Sequence, residues 1–183
     1  MQGLIQEGDG EEHVRLSDSL EHAAALEPRQ VRVAIMAAGV CGSDLSCVHG
    51  KYYMPTPLVP GHEAAGVVAE VGSAVTYCQV GDHVVLSTFG NCGHCPTCEG
   101  GDPGNCGFGG LRYTHVEGEQ QLWGFANLGA FAQETIVHEN QAVPIPKEVP
   151  LSSAALIGCG VMTGAGAVFN RARVGIGDTC VVI

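Results

Sequence analysis

The sequence predicts a mainly β fold with short helices, followed by the opening elements of an α/β unit. Three observations carry this. Glycine makes up 27 of 183 residues, about double the usual share of roughly 7%, which marks a chain with many tight turns. Apolar residues alternate at period two in several short runs, as strands with one buried face require. After residue 150 the texture changes, and small residues suited to helices replace the alternation.

Residues 1–29 are polar and mixed, with Gly8-Asp9-Gly10 marking a turn between short strands at Leu4-Ile5 and His13–Leu16. Val31–Ile35 alternates cleanly and reads as a strand. Tyr53–Pro60 carries three prolines and reads as a loop. Gly61–Gly72 is β-branched and punctuated by glycine, a strand with close backbone packing. Val80–Leu86 reads as a turn and then a strand. Gly90–Arg112 is too rich in glycine and cysteine to form a core of its own. Gly129–Val137 is a further strand, and Ala142–Pro146 an edge strand, because proline has no N–H to give a ladder. Ser152–Ile157 and Gly164–Phe169 read as helices, the first capped by a serine. A turn at Gly175–Asp178 leads to Thr179–Ile183, an apolar strand of the type found inside buried parallel sheets.

Composition narrows the function. With 45% hydrophobic and 15% charged residues the chain is neither disordered nor fibrous. Eight Lys+Arg against 19 Asp+Glu leave a net charge of −11, which argues against nucleic acid or an anionic membrane as partner. The N-terminus has no basic segment followed by an apolar run, and no stretch of 18 apolar residues occurs. The expectation is a cytoplasmic protein without a membrane partner. Nine cysteines, an odd number, then point to metal binding or catalysis rather than disulfides.

Cys92, Cys95, Cys98 and Cys106 lie within fifteen residues among six glycines. Four thiolates around a tetrahedral zinc need a chain that folds tightly about the ion, which glycine permits. The alternatives are an iron–sulfur cluster, whose ferredoxin spacing of C-x2-C-x2-C-x3-C-P differs, and ordinary buried or redox cysteines. No position in the cluster is free for chemistry, so the site reads as structural and closed. A second set is dispersed: Cys41, His62 and Cys159. Together they make a Cys2His shell with a fourth position for water or substrate, as a catalytic zinc has. Their spacing does not establish that they meet.

Gly-Val-Cys-Gly-Ser-Asp at 39–44, Gly-His-Glu-Ala-Ala-Gly at 61–66, Val-Gly-Asp-His-Val at 80–84, the four-cysteine cluster and Leu-Ile-Gly-Cys-Gly-x-x-Thr-Gly at 156–164 follow in order. Together they closely resemble the zinc-dependent alcohol dehydrogenases of the medium-chain dehydrogenase/reductase superfamily, from about residue 30 onward. The resemblance implies a GroES-like, partly open β-barrel catalytic domain over residues 1–150, with a structural-zinc lobe at about 90–112. Residues 151–183 would be connecting helices and the first strand of a Rossmann-type domain. It implies two zinc ions per chain and NAD(P) as cofactor. The catalytic zinc would be held by Cys41, His62 and Cys159, with Glu63 a nearby alternate ligand and Asp44 orienting His62. Ser43 would receive the alcohol proton, Thr163 would lie beside the nicotinamide, and Thr88 and Phe125 would line the substrate pocket.

The implied reaction interconverts alcohols with aldehydes or ketones by zinc alkoxide formation and hydride transfer, since zinc makes a bound hydroxyl far more acidic. The partner is then a small alcohol or aldehyde, and the full-length enzyme a homo-oligomer. Two positions depart from the family pattern. Gly42 replaces a basic residue that contacts the cofactor pyrophosphate, and Ser46 replaces a relay histidine, leaving Ser46 or water to carry the proton. His49 is out of register. No G-x-G in the chain continues as G-x-G-x-x-G. In the family that fingerprint follows the segment matching Thr179–Ile183, so the sequence reads as a fragment unlikely to act alone. The alternatives are a non-catalytic, zinc-stabilised GroES-like interaction module and a zinc hydrolase using Glu63 as base. Cys47, Cys78 and Cys180 are left as reduced packing residues.

Overall fold

The computed structural model describes residues 1–107 and 111–182. Residues 108–110, inside the expected zinc lobe, and Ile183 lie outside the described residues. In chain order, β1 (Gly3–Gln6) and β2 (Val14–Ser17) flank a 3-10 turn at Glu11–His13. β3 (Leu20–His22) and the long β4 (Gln30–Gly39) lead into helix α1 (Gly42–Val48). β5 (Leu58–Val59), β6 (Glu63–Val71) and β7 (His83–Leu86) precede the short helix α2 (Pro96–Glu99). β8 (Tyr113–Glu117) and β9 (Gln120–Gly124) form a hairpin, followed by β10 (Glu134–His138) and β11 (Ala142–Ile145).

These strands form two open sheets. One has the order β2-β1-β5-β9-β8-β3 and the other β10-β4-β6-β7-β11. Every pairing is antiparallel except β5 with β9. Alternation along β4 shows why the five-stranded sheet forms. Val31 and Val33 face a core with Ala64, Val68, Val84, Leu86 and Val137, while Arg32 points away and bridges Glu70 and Glu134. Burying each such valine or leucine contributes about 1.5–3 kcal/mol. Pro144 sits on β11 at the sheet edge, where its missing N–H costs no ladder bond.

A continuous helical stretch, Leu151–Arg171, crosses the end of this sheet. Ala154 and Ala155 pack on Ala65 and Val85. The stretch is long and apolar enough by composition to cross a membrane, although Ser152, Ser153, Thr163 and Asn170 interrupt any purely apolar run. Its first half is docked on the sheet, and its second half is exposed.

Several elements differ from the sequence reading. The helix begins at Leu151 after Pro150, without a side-chain cap, so no serine caps it. The fixed φ of proline sets the entry instead. Of the segment read at Gly129–Val137, only the part from Glu134 on is strand, in β10, because Gly129 turns the chain at φ 58°. The loop read at Tyr53–Pro60 contains β5. Thr179–Val182 is irregular, with Val181 83% and Val182 93% exposed. A strand needs a neighbour to hydrogen-bond with, and among the described residues none lies beside it.

Candidate metal centres and substrate cleft

The cysteine lobe is held by local chain geometry rather than a core. Cys95 precedes α2, whose first residue is Pro96, and Cys98 lies one turn on. A 3-10 turn, Pro103–Asn105, then returns the chain to Cys106. The Sγ separations are 3.5 Å for Cys95–Cys98, 3.7 Å for Cys95–Cys106 and 3.6 Å for Cys92–Cys106. These exceed a disulfide bond of about 2.05 Å. A tetrahedral ion with bonds of about 2.3 Å sets its sulfurs about 3.8 Å apart. The four thiols therefore fit one such ion. The Cys98 amide, together with its thiol, draws Cys95 down to about 6. Burial and the neighbouring Cys95 push Cys98 up to about 11. A divalent cation would release all four protons. Asn140 ties the lobe to the sheet domain by donating to the Asn91 carbonyl at 2.9 Å.

The dispersed residues converge where β4 ends and β6 begins. Cys41 caps α1, and Asp44 in its first turn accepts the Cys41 N–H at 2.9 Å through Oδ2. Asp44 Oδ1 accepts from His62 Nδ1 at 3.0 Å and from the Gly61 amide at 3.3 Å. Asp44 and His62 are 3% and 4% exposed. One buried carboxylate thus orients three donors and fixes the proton on Nδ1, leaving Nε2 to face the cluster. β4 and β6 pair Gly39 with Glu63, which brings the residues after β4 beside those before β6. Cys159 arrives from the helix, in a wide π-type turn at Ile157–Val161.

Donor atoms of Cys41, His62, Glu63 and Cys159 all lie within 4.8 Å of one another. Burial, then the charges of Cys41 and Glu63, push the Cys159 thiol up to about 11. Burial also acts to raise Cys41, but hydrogen bonds from Ser43 and His62 outweigh it and hold it low. For His62, burial is outweighed by Asp44 and Cys41, and the imidazole is held above its ordinary value. Two thiols and an imidazole around one point match the donor set of a catalytic zinc, with the Glu63 carboxylate beside them.

The cluster opens into a cleft of about 400 Å³, lined in part by Ser43, Thr88, Phe125 and Thr163. Phe125 meets the His62 ring edge-on at 4.9 Å. Ser46 and His49 do not line the cleft. Ser46 is half-buried on α1, and His49 pairs with Glu11 at 3.3 Å. Tyr52, Met54, Phe89, Leu111 and Met162 also line it. Sequence reasoning missed these, and no motif marks them, because they come from separate loops and from the helix. Ala126 and Asn127 adopt left-handed φ values of 53° and 58° at the cleft wall, a conformation costing non-glycine residues about 1–3 kcal/mol.

The remaining cysteines divide. Cys47 is buried and donates to Gln6, and Cys78 packs against the main core. Cys180 is exposed, so it is not the packing residue expected from sequence, since the segment around it forms no strand.

Gly158 shows how tightly the Cys159 turn is seated. A Cβ there would overlap the Leu86 carbonyl oxygen, which is backbone and cannot move aside. Gly158→Ala is expected to lift the turn and withdraw Cys159, at about 1–3 kcal/mol of overpacking. Melting temperature and zinc content should both fall, and unchanged values would contradict this seating.

Residues 27–147 match the family model of the alcohol dehydrogenase GroES-like domain. The geraniol dehydrogenase of Castellaniella defragrans is 37% identical over 167 residues, 84% of this chain and 44% of that protein. Alcohol dehydrogenase 6 of Peromyscus maniculatus is 33% identical over 164 residues, again 84% and 44%. Among solved structures, the benzyl alcohol dehydrogenase of Acinetobacter calcoaceticus matches with a TM-score of 0.79 at 34% identity, covering 93% of this chain and 48% of that one. An alcohol dehydrogenase zinc-binding domain protein from Burkholderia ambifaria matches with a TM-score of 0.79 at 33% identity, covering 94% and 49%. The chain spans about half the length of these relatives.

Proposed function

The chain belongs to the alcohol dehydrogenase GroES-like domain family, and from that premise we propose that it forms the zinc-binding catalytic part of an NAD(P)-linked alcohol dehydrogenase. The observation that carries the proposal is the convergence of Cys41, His62 and Cys159, with His62 and Cys159 lining the cleft and Asp44 buried behind His62. Zinc held by these three residues would supply Lewis acidity that makes an alcohol hydroxyl easier to deprotonate.

The chain's own residues have distinct tasks. Ser43 Oγ, on the cleft wall, takes the hydroxyl proton. Because Ser46 stands away from the cleft, water carries the proton onward. Thr163, on the cleft wall, would lie beside the nicotinamide. Phe125 packs against His62 and keeps water from that side of the site. The four cysteines in the lobe would hold a second, structural zinc.

The cleft also favours a substrate class. None of its described lining residues is a carboxylate, lysine or arginine, and Tyr52, Met54, Phe89, Phe125 and Met162 supply an apolar wall. Such a wall suits an uncharged alcohol with a sizeable apolar body. The names of the geraniol and benzyl alcohol dehydrogenases among the relatives agree with that class. We place the enzyme in the cytoplasm as a homo-oligomer.

Elemental analysis of the purified protein is expected to return two zinc ions per chain. Cys159→Ser should lower the catalytic zinc content and abolish NAD(P)+ reduction with benzyl alcohol in the intact enzyme, while the lobe keeps its ion. One zinc in the unaltered protein, or full activity in the variant, would overturn the assignment.

A further inference from the structure

Asp44 explains how two of the three zinc-binding side chains are held, but it does not touch Cys159. That cysteine sits on a helix whose second half is exposed, in a π-type turn closed by the Val161 N–H donating to the Leu156 carbonyl at 3.1 Å. Glu63, 5% exposed and first in β6, reaches this turn. Its Oε1 accepts the Gly160 N–H at 3.2 Å, across 97 residues of chain. The carboxylate has a place made for it. Gly39 lies opposite on β4, and a Cβ there would stand 2.5 Å from Glu63 Oε2 and 2.8 Å from Leu156. The absence of a side chain at Gly39 therefore leaves room for the carboxylate between the sheet and the helix.

We propose that Glu63 is a positioning residue for Cys159. By accepting the amide of the next residue, it holds the turn that presents Cys159 Sγ to Cys41 and His62. The site then rests on two buried carboxylates, Asp44 fixing the Cys41–His62 pair and Glu63 fixing Cys159. This role rests on the zinc-site reading above. It differs from that of an alternate ligand, because what it requires of Glu63 is a hydrogen-bond acceptor and not a charge.

That difference is testable with two variants. Glu63→Gln keeps a carbonyl oxygen that accepts the Gly160 amide but loses the charge, whereas Glu63→Ala loses both. Zinc is replaced by cobalt(II) in the protein, and the thiolate-to-cobalt absorption, cobalt content and rate of metal loss to a chelator are followed. The four-cysteine site serves as an internal control, its unchanged signal reporting an intact fold.

Glu63→Gln is expected to retain two ions and the charge-transfer band of the Cys41–Cys159 site, with metal affinity within about threefold of the unaltered protein. Glu63→Ala is expected to weaken metal binding at that site about 10–100-fold, as loss of an orienting partner does, and to reduce its thiolate band. If Glu63→Gln loses metal as readily as Glu63→Ala, the charge is what matters and the positioning role is overturned. It is equally overturned if Glu63→Ala binds like the unaltered protein. If the unaltered protein itself takes up only the lobe's ion, the zinc-site reading fails, and this role fails with it.

Discussion

Cys92→Ser is expected to empty the lobe site and lower the melting temperature by on the order of 10 °C. The lobe has almost no core of its own, since among its described residues only Cys106 is buried. What closes it are the four thiols, the bonds of its short turns, and the Asn140 anchor to Asn91. Structural zinc contributes about 10–16 kcal/mol in small zinc-dependent peptides, and that binding energy is folding energy there. Removing one of four thiolates forfeits a large part of it. For a chain of this size each kcal/mol shifts the midpoint by about 2–4 °C, so a loss of several is readily seen by calorimetry. Zinc content should fall from two to one while the Cys41–His62–Cys159 site keeps its ion. An unchanged midpoint would show that the lobe's turns hold without metal.

Acid is expected to destabilise the fold through His115, by about 2 kcal/mol between pH 7 and pH 5. The imidazole is fully buried on β8. Its Nε2 donates to the Glu134 carbonyl at 2.9 Å, and its Nδ1 accepts the Thr114 hydroxyl at 2.9 Å. In this pairing the ring is neutral, the form that burial favours. Burial holds its pKa down to about 4, aided by the His22 ring nearby, against an ordinary 6.5. The folded value lies below the unfolded one. Above pH 6.5 the two states bind equally few protons at this site. Below it the unfolded chain takes a proton that the native ring refuses. Stability is therefore complete above 6.5 and lost progressively down to about 4, reaching about 3 kcal/mol.

Other groups act in different windows or senses. Arg15 and Ser17 hold Glu117 low, at about 2. Arg32 and His22 hold Glu134 low against burial, and the Thr76 amide and Arg29 do the same for Glu139. These carboxylates contribute stability that is lost only as pH falls below their ordinary range. His138, lowered mainly by burial, acts in the same sense as His115, whereas His62 is raised by Asp44 and Cys41 against burial and opposes it. Comparing urea unfolding of the unaltered protein and His115→Gln at pH 7 and pH 5 isolates the His115 share. The variant should be less stable at pH 7 but lose about 2 kcal/mol less on acidification. Equal losses in the two proteins would exclude His115 as the source.

How much of this was legible in the sequence follows from what marks a segment. β4, β6 and β7 carry alternating or continuous apolar side chains, and their burial follows the sequence pattern. β8 does not, since the two side chains it buries are Thr114 and His115. These two bond each other and the Glu134 carbonyl on β10, and hydropathy does not register such bonds. β3 is three residues long with one buried leucine, too short to show a period. Thr179–Val182 shows the reverse, an apolar pattern without a neighbouring strand to pair with.

The two metal centres divide in the same way. Four cysteines within fifteen residues must lie close together, because so short a chain cannot carry them far apart. The sequence by itself therefore determined that these four thiols come together. It also held the motifs around Cys41, His62 and Cys159, whose family resemblance implied that they meet. Only the tertiary structure decided that their donor atoms lie within 4.8 Å of one another, that Asp44 serves Cys41 and His62 together, and that Glu63 reaches the Gly160 amide. The cleft's apolar wall, assembled from separate loops and a helix, belongs to the same class. The physical reason is distance along the chain. Over a few residues covalent geometry limits separation, but over a hundred it limits almost nothing, and there the pairing of β4 with β6 and the docking of the helix set the distances.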